Sequence, residues 1–285
     1  PNCGKTTLFN ALTGTHQHVA NWPGVTVEKK TGHFDLDGTK IEVVDLPGTY
    51  SLTSFSPEER VARDEILKGE HDLIVVVADS TALQRSLSLL AQVMQLGTPC
   101  VLCLNMADEA KEAGQKIDVE QMSKLLGMPV IETVGHRGTG LGLLKQAVVD
   151  QAGGSLEKER LVLGEELDEA INAVRAKLDN ERKEAFAGDW IATRLLVGDD
   201  ALWERFGSEE LDAELKTQRA KLEETSGRDV SLFVTERYFG FVDGLLREVM
   251  SASASEDARA QSNAIDRILV HRVWGLPIFA LIMYG

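Results

Sequence analysis

Short apolar runs and helix-like segments alternate through the first half of the chain. "DLIVVVADS" (72–80), "TPCVLCLN" (98–105) and "MPVIETV" (128–134) are the runs. Apolar stretches of this length between turn residues predict strands buried on both faces. The alternation predicts a mostly parallel sheet with helices on both sides. "GHFDLDGTKIEVVDL" reads as two strands joined at Asp37-Gly38, a pair suited to a two-residue hairpin turn. Lys5 to Leu12 opens the unit as a helix, and "GLGLLKQAVVD" (140–150) closes it. After the polar, Gly-bearing "QAGGSLEKE" (151–159) the strand pattern ends. From about 160 to 255 the period is helical: Leu163, Leu167, Ile171, Val174 and Leu178 share one face. "SEELDAELKTQRAKLEETSG" carries a Ser cap, an acidic first turn and a Gly stop. "DVSLFVTERYFGFVDGLLREVM" is a further amphipathic helix.

The tail differs again. Arg267, His271 and Arg272 precede thirteen uncharged residues, Val273 to Gly285. A membrane span needs about 20, but Trp274 beside basic residues suits an anchor at a cytosolic membrane face. The start of a transmembrane helix is therefore expected here. Three units follow: residues 1–152 an α/β domain, 153–258 an all-α domain, and 259–285 a juxtamembrane segment with the start of a span.

Charge and cysteine content narrow the function. A net charge of −15 argues against a general nucleic-acid binder. Three cysteines make no disulfide framework, which suits a reducing compartment. Cys100 and Cys103 lie three apart on an expected strand. They should point to opposite faces and cannot share one ion.

The chemistry lies in four ordered motifs and a fifth, looser one. "PNCGKTTLFN" fits the last six places of G-x-x-x-x-G-K-[ST]; the first Gly would precede Pro1, so the chain is expected to start within the motif. Asn2, Cys3, Gly4, Lys5, Thr6 and Thr7 would form a backbone nest for phosphates. Lys5 would set a charge on the β- and γ-phosphates and Thr6 a hydroxyl on Mg²⁺. In "DLPG", Asp45 would hold Mg²⁺ through water, Leu46 and Pro47 would shape the loop, and the Gly48 N–H would meet the γ-phosphate. In "NWPGVTVE", Gly24 and Val25 flank Thr26, which would complete the Mg²⁺ shell. In "NMAD", Asp108 would accept the two adjacent N–H groups of a guanine edge, Asn105 would brace loop and base, and Met106 would cover the base. "ETVGHRG" (132–138) would place Thr133, Val134 and Gly135 near the guanine O6. Together these define a P-loop GTPase domain, with Lys5, Thr26, Gly48 and Asn2 as the candidate catalytic set.

Pro1 to Thr7, "GVTVE", "DLPGTY", "SPEERVARD" (56–64) and "NMAD" together resemble the cytosolic GTPase region of bacterial ferrous-iron transport protein B. The resemblance covers essentially the whole chain. It implies that GTP turnover gates or drives Fe²⁺ uptake through the protein's own C-terminal membrane domain, at the cytosolic face of the inner membrane. It also implies a helical domain that slows GDP release, possible homo-oligomers and small accessory proteins of iron uptake. Asn2 matches the residue that holds a potassium ion in the family, so K⁺-stimulated hydrolysis is expected. No iron ligand cluster is seen in these residues.

Departures from common small GTPases affect rate. Thr49 stands where a water-orienting Gln usually follows DxxG, so backbone groups or Thr side chains must hold the water and hydrolysis should be slow. His16, Gln17 and His18 are rivals for that task. Arg60 and Arg63 are expected to face solvent or partners. Segments of about 15–30 and 47–65 should be ordered by the γ-phosphate and released after hydrolysis. Two rival readings are a soluble regulatory GTPase of the ribosome-assembly type and a nucleotide-regulated scaffold with negligible turnover.

Overall fold

The computed structural model describes residues 1–14, 16–23, 25–53, 56–153, 160–178 and 187–250. Its first half runs α1 (Lys5–Thr13), β1 (Gln17–Asn21), β2 (Glu28–Leu36), β3 (Thr39–Asp45), α2 (Pro57–Leu67), β4 (Ile74–Asp79), α3 (Leu83–Met94), β5 (Cys100–Asn105), α4 (Ala107–Glu112), α5 (Val119–Leu126), β6 (Val130–Glu132) and α6 (Leu141–Gly153). The strands form an antiparallel set ordered β1-β2-β3 and a parallel set ordered β4-β5-β6.

All six residues of β5 are buried, as a continuous apolar run demands of a central strand. Alternation then sorts its side chains. Cys100, Leu102 and Leu104 pack with Leu87, Leu90 and Met122 on the α3/α5 side. Val101 and Cys103 pack with Leu8, Leu12 and Leu144 on the α1/α6 side. The two thiols therefore lie on opposite faces, and burial pushes each up to about 12. At the hairpin, Asp37 (φ 50°) and Gly38 (φ 81°) both adopt left-handed backbone, as a type I′ turn requires.

β1 departs from the sequence reading. Residues 17–21, expected within a phosphate-responsive loop, pair with β2 from Gln17↔Gly32 to Asn21↔Glu28. Every residue of β1 is exposed, so no buried face marks it as a strand; β2's free hydrogen-bonding edge recruits it. The end of the second expected switch segment, about 47–65, lies in the helix α2 (Pro57–Leu67). Ser56 and Glu59 form a capping box at its start.

The second half is helical: α7 (Glu165–Ala176), α8 (Gly188–Leu196), α9 (Asp200–Phe206), α10 (Glu209–Ser226) and α11 (Val230–Val249). The five-residue stripe from Leu163 to Leu178 is buried throughout. Ser208 accepts a hydrogen bond from the Leu211 N–H, and Gly227 closes α10 in the left-handed conformation, as their positions predicted. Seven of the nine residues of α8 are buried, with Trp190 wholly enclosed, while Asp189 and Arg194 supply its polar side. Replacing Trp190 with Ala should cost about 3–5 kcal/mol. Urea unfolding should show this as a lower midpoint at unchanged slope.

The helical half shares one continuous core with the α3/α5 side of the sheet. Polar ties reinforce the seam: the Ala187 N–H donates to the Leu96 carbonyl (2.9 Å) and Gln95 Nε2 to Thr193 Oγ1 (3.2 Å). The Tyr238 hydroxyl donates to Gln95, and burial raises its pKa. Arg63 corrects an expectation. Arg60 is exposed, but Arg63 is buried and lies 3.7 Å from Asp199, the cap of α9, which also pairs with Arg194 at 3.2 Å. A guanidinium can be buried here because a carboxylate from the helical half meets it. The expected membrane-span start lies outside the described residues. Among the described residues no helix is long and apolar enough to cross a membrane.

Candidate functional site: a phosphate cradle knitted to a base pocket

α1 begins directly at the phosphate loop. Asn2 (φ 59°) and Gly4 (φ 74°) both adopt left-handed backbone around Cys3. That alternation turns successive N–H groups inward as an anion nest, in line with the N-terminus of α1. Gly4 is required twice over: its φ favours glycine, and a Cβ there would lie 2.4 Å from Asn105 Nδ2.

Residues 45 and 5–6, forty positions apart, meet because β3 ends beside the start of α1. Lys5 Nζ pairs with one Asp45 oxygen, and Thr6 Oγ1 donates to the other at 3.2 Å. Asp45 is buried. A carboxylate and a hydroxyl on one point are hard oxygen donors, a set that fits Mg²⁺. Leu46 and Pro47 are half-buried, and Gly48 approaches Pro1 so closely that a Cβ would lie 3.1 Å from its nitrogen.

Asn105, at the end of β5, ties three motifs together. Its Nδ2 donates to the Cys3 carbonyl (2.8 Å), while its Oδ1 accepts from Thr133 Oγ1 and the Gly135 N–H (both 3.0 Å). Cys103 Sγ contacts Thr133 Oγ1 at 3.1 Å from below. Thr133, Val134 and Gly135 are all buried. Met106 holds a left-handed turn (φ 59°) at the start of α4, with its terminal methyl 3.6 Å from where a Gly4 Cβ would be. Asp108 in α4 has one oxygen, Oδ2, 3.4 Å from Arg137 and 3.9 Å from His136. Its other oxygen, Oδ1, is buried without a hydrogen-bond partner. A buried, unpaired carboxylate oxygen is costly, and it suits a ligand that brings N–H donors.

Not every predicted residue is brought in. Thr26 is exposed in a turn closed by the Trp22 N–H to the Val27 carbonyl (2.8 Å), and no contact among the described residues joins it to Thr6 or Asp45. Val25 sits in the same turn; Gly24 lies outside the described residues. Thr7 is exposed on α1. Thr49 is engaged locally, accepting from the Ser51 N–H (3.1 Å) and donating to the Ser51 carbonyl and to Glu59 (3.2 Å). Sequence reasoning missed Gln92, whose buried Oε1 accepts from the Leu52 N–H (2.9 Å) and Ser51 Oγ (3.1 Å), anchoring the loop after Gly48. It also missed Arg137 as a neighbour of Asp108. Neither had a local signal, since both act across large sequence separations.

Fold and site together define a P-loop GTPase domain with an attached helical domain. The family model for ferrous iron transport protein B matches residues 1–148, and that for its cytosolic helical domain matches residues 164–251. The chain belongs to this family. It is 36% identical over 291 residues to the Fe(2+) transporter FeoB of Salmonella typhimurium, covering all of this chain and 36% of the relative. Against the Fe(2+) transport protein A/Fe(2+) transporter FeoB fusion protein of Porphyromonas gingivalis it is 35% identical over 296 residues, covering all of this chain and 35% of that protein. It thus spans about a third of the length of these relatives. Among solved structures, the apo cytosolic domain of the T. maritima FeoB iron transporter matches with TM-score 0.75 and 38% identity, over 88% of this chain and 96% of that one. A GDP-bound point mutant of the S. thermophilus FeoB G-domain matches with TM-score 0.82 and 33% identity, over the same shares.

Proposed function

We propose that this chain is the GTP-binding and GTP-hydrolysing region of a ferrous-iron membrane transporter, whose nucleotide state gates Fe²⁺ uptake. The single observation that carries the nucleotide reading is the Asn105 junction, which holds the phosphate loop and the base loop on one pocket beside the unpaired Asp108 oxygen. The GDP-bound relative supports it. Asp108 accepts the two adjacent N–H groups of guanine, and Asn105 with Thr133, Val134 and Gly135 frames the O6 side. The amide nest from Asn2 to Thr7 binds the phosphates.

The Lys5 ammonium leaves Asp45 for the β- and γ-oxygens and balances charge that develops toward the leaving group. Thr6 and Asp45 would hold Mg²⁺, with Thr26 joining them only once its turn closes on the site, and the ion would supply further neutralisation of the phosphate charge. The Gly48 N–H orients the γ-phosphate. Thr49 stands where a water-orienting Gln usually follows DxxG, so turnover should be slow. Asn2 would hold a potassium ion beside the cradle, where its charge would add to that of Lys5.

The proposed boundaries are 1–152 for the nucleotide domain, 153–258 for a helical domain that slows GDP release, and 259–285 for a juxtamembrane segment entering the membrane. The region lies at the cytosolic face of the inner membrane, coupled to a C-terminal membrane domain. The Porphyromonas fusion protein supports a small accessory partner.

A nucleotide panel tests the reading. GTP and GDP should bind and ATP should not, and purified protein should release phosphate from GTP. Equal binding of ATP would refute the base assignment; no phosphate release would leave a nucleotide-regulated scaffold. Potassium has its own test: hydrolysis should be faster in K⁺ than in Na⁺, with the difference lost in Asn2→Asp. Equal rates in both salts would remove the cation from the site.

A further inference from the structure

We propose that the outer face of the β1–β3 sheet holds a divalent transition-metal site built from His16, His18, His33 and Glu42. Three of the chain's six histidines fall here, far along the sequence from the other three. The strand register places them. The Gln17↔Gly32 pair sets His16 opposite His33, and the His33 N–H donates to the His16 carbonyl at 3.2 Å. His33 is in turn paired with Glu42 on β3. His16, His33 and Glu42 thus form one row across three strands, and His18, opposite Thr31, lies in the adjacent row on the same face.

This face looks outward. The opposite face carries Phe34, Ile41 and Val43 against α1 and α6, and a Cβ on Gly32 would meet Thr13 there. The outward face bears a cavity of about 430 Å³ lined by all four donors with Thr31 and Lys40. The His16 and His33 rings already lie side by side, centroids 4.6 Å apart and tilted by 33°. Directly opposed Cβ atoms on antiparallel strands are about 4.5–5.5 Å apart, a span that two imidazoles bridge with a metal at about 2.0–2.1 Å from each nitrogen. Among the described residues no group of three or more His, Cys, Asp or Glu side chains is placed to hold a metal ion as the side chains stand, so the site requires rotation of the side chains. The exposed His16, His18 and Glu42 side chains close the set by rotation about their own χ angles. Lys40, the one cation in the lining, faces Asp35 in the register, one row beyond Glu42.

Three imidazoles and a carboxylate, with no thiolate, suit a borderline ion of the zinc, cobalt, nickel or ferrous kind. Because two ligands come from the β1 arm and two from β2 and β3, the ion would pin β1 to the sheet and stabilise the paired form over any released one.

Titration of the whole chain with Zn²⁺, and with Co²⁺ read by its visible absorption, should show one equivalent bound. His16→Ala and His33→Ala should each raise Kd about tenfold or more, Glu42→Gln should weaken binding, and His71→Gln should leave it unchanged. Should a variant misfold, the intact chain still decides: Co²⁺ should selectively broaden the ring protons of His16, His18 and His33 and spare His71. Bound metal should also slow amide exchange at Gln17–Asn21. An absence of stoichiometric binding, binding that survives in a folded His16→Ala/His33→Ala double variant, or broadening centred on other histidines would overturn the proposal.

Discussion

Asp108→Asn should weaken GTP binding about 100- to 1000-fold, measured by titration with a fluorescent guanine nucleotide. Among the described residues the Asp108 Oδ1 atom is buried and unpaired, and Oδ2 meets exposed Arg137 and His136. Guanine offers two adjacent N–H donors to such a carboxylate. Hydrogen bonds to a charged acceptor contribute about 1.5–3 kcal/mol each. The Asn amide turns one acceptor into a donor that opposes guanine's own N–H. A net loss of about 3–4 kcal/mol corresponds to the stated range. The same variant should gain affinity for xanthosine nucleotides, which carry a carbonyl where guanine carries its amino group. Unchanged GTP affinity would mean that Asp108 does not read the base.

Lys5→Met should cut the rate of GTP hydrolysis about 100- to 1000-fold, the usual loss when one pre-aligned charge-stabilising group is removed. Met keeps the length and apolar stem of Lys and removes only the ammonium, so the change isolates charge. Single-turnover phosphate release measures it. Nucleotide affinity should fall as well, since the same ammonium neutralises phosphate in the ground state. The variant also leaves Asp45, whose side chain is 6% exposed, with Thr6 as its partner. Adding Asp45→Asn should therefore recover stability without recovering turnover. Full hydrolysis in Lys5→Met would remove Lys5 from the reaction.

The two variants probe opposite ends of one pocket, and Asn105 makes it one. With its side chain it spans 102 residues of sequence to Cys3 and about 30 to Thr133 and Gly135. Nucleotide binding at either end should stiffen the other through this amide.

Elements with a strong periodic signal were legible in the amino-acid order. β5 read as a buried strand because its run is apolar throughout, and the faces of Cys100 and Cys103 followed from period two. Asp37-Gly38 dictated a turn that few other dipeptides adopt. Ser208 and Gly227 marked the ends of α10 because their side-chain and backbone chemistry satisfies helix ends locally. α8 is harder to read because it is short: Asp189 and Arg194 alone interrupt nine mostly buried residues, too few turns to establish a helical period. β1 was invisible because all its side chains are exposed, and its partner is chosen by backbone bonds alone.

For this chain, the sequence by itself determined the local chemistry: which segments with a clear period are strands or helices, where the hairpin turns, and that a Gly-Lys-Thr loop, a DLPG turn and an NMAD segment occur in a set order. Tertiary structure alone decided that Lys5 pairs with Asp45, that Asn105 clasps Cys3 and Gly135, that Arg63 is buried against Asp199, and that three histidines and Glu42 share one sheet face. Short-range preferences depend on neighbours within about one turn or one strand pair, whereas these contacts depend on strand order and register, which cooperative packing of the whole core fixes.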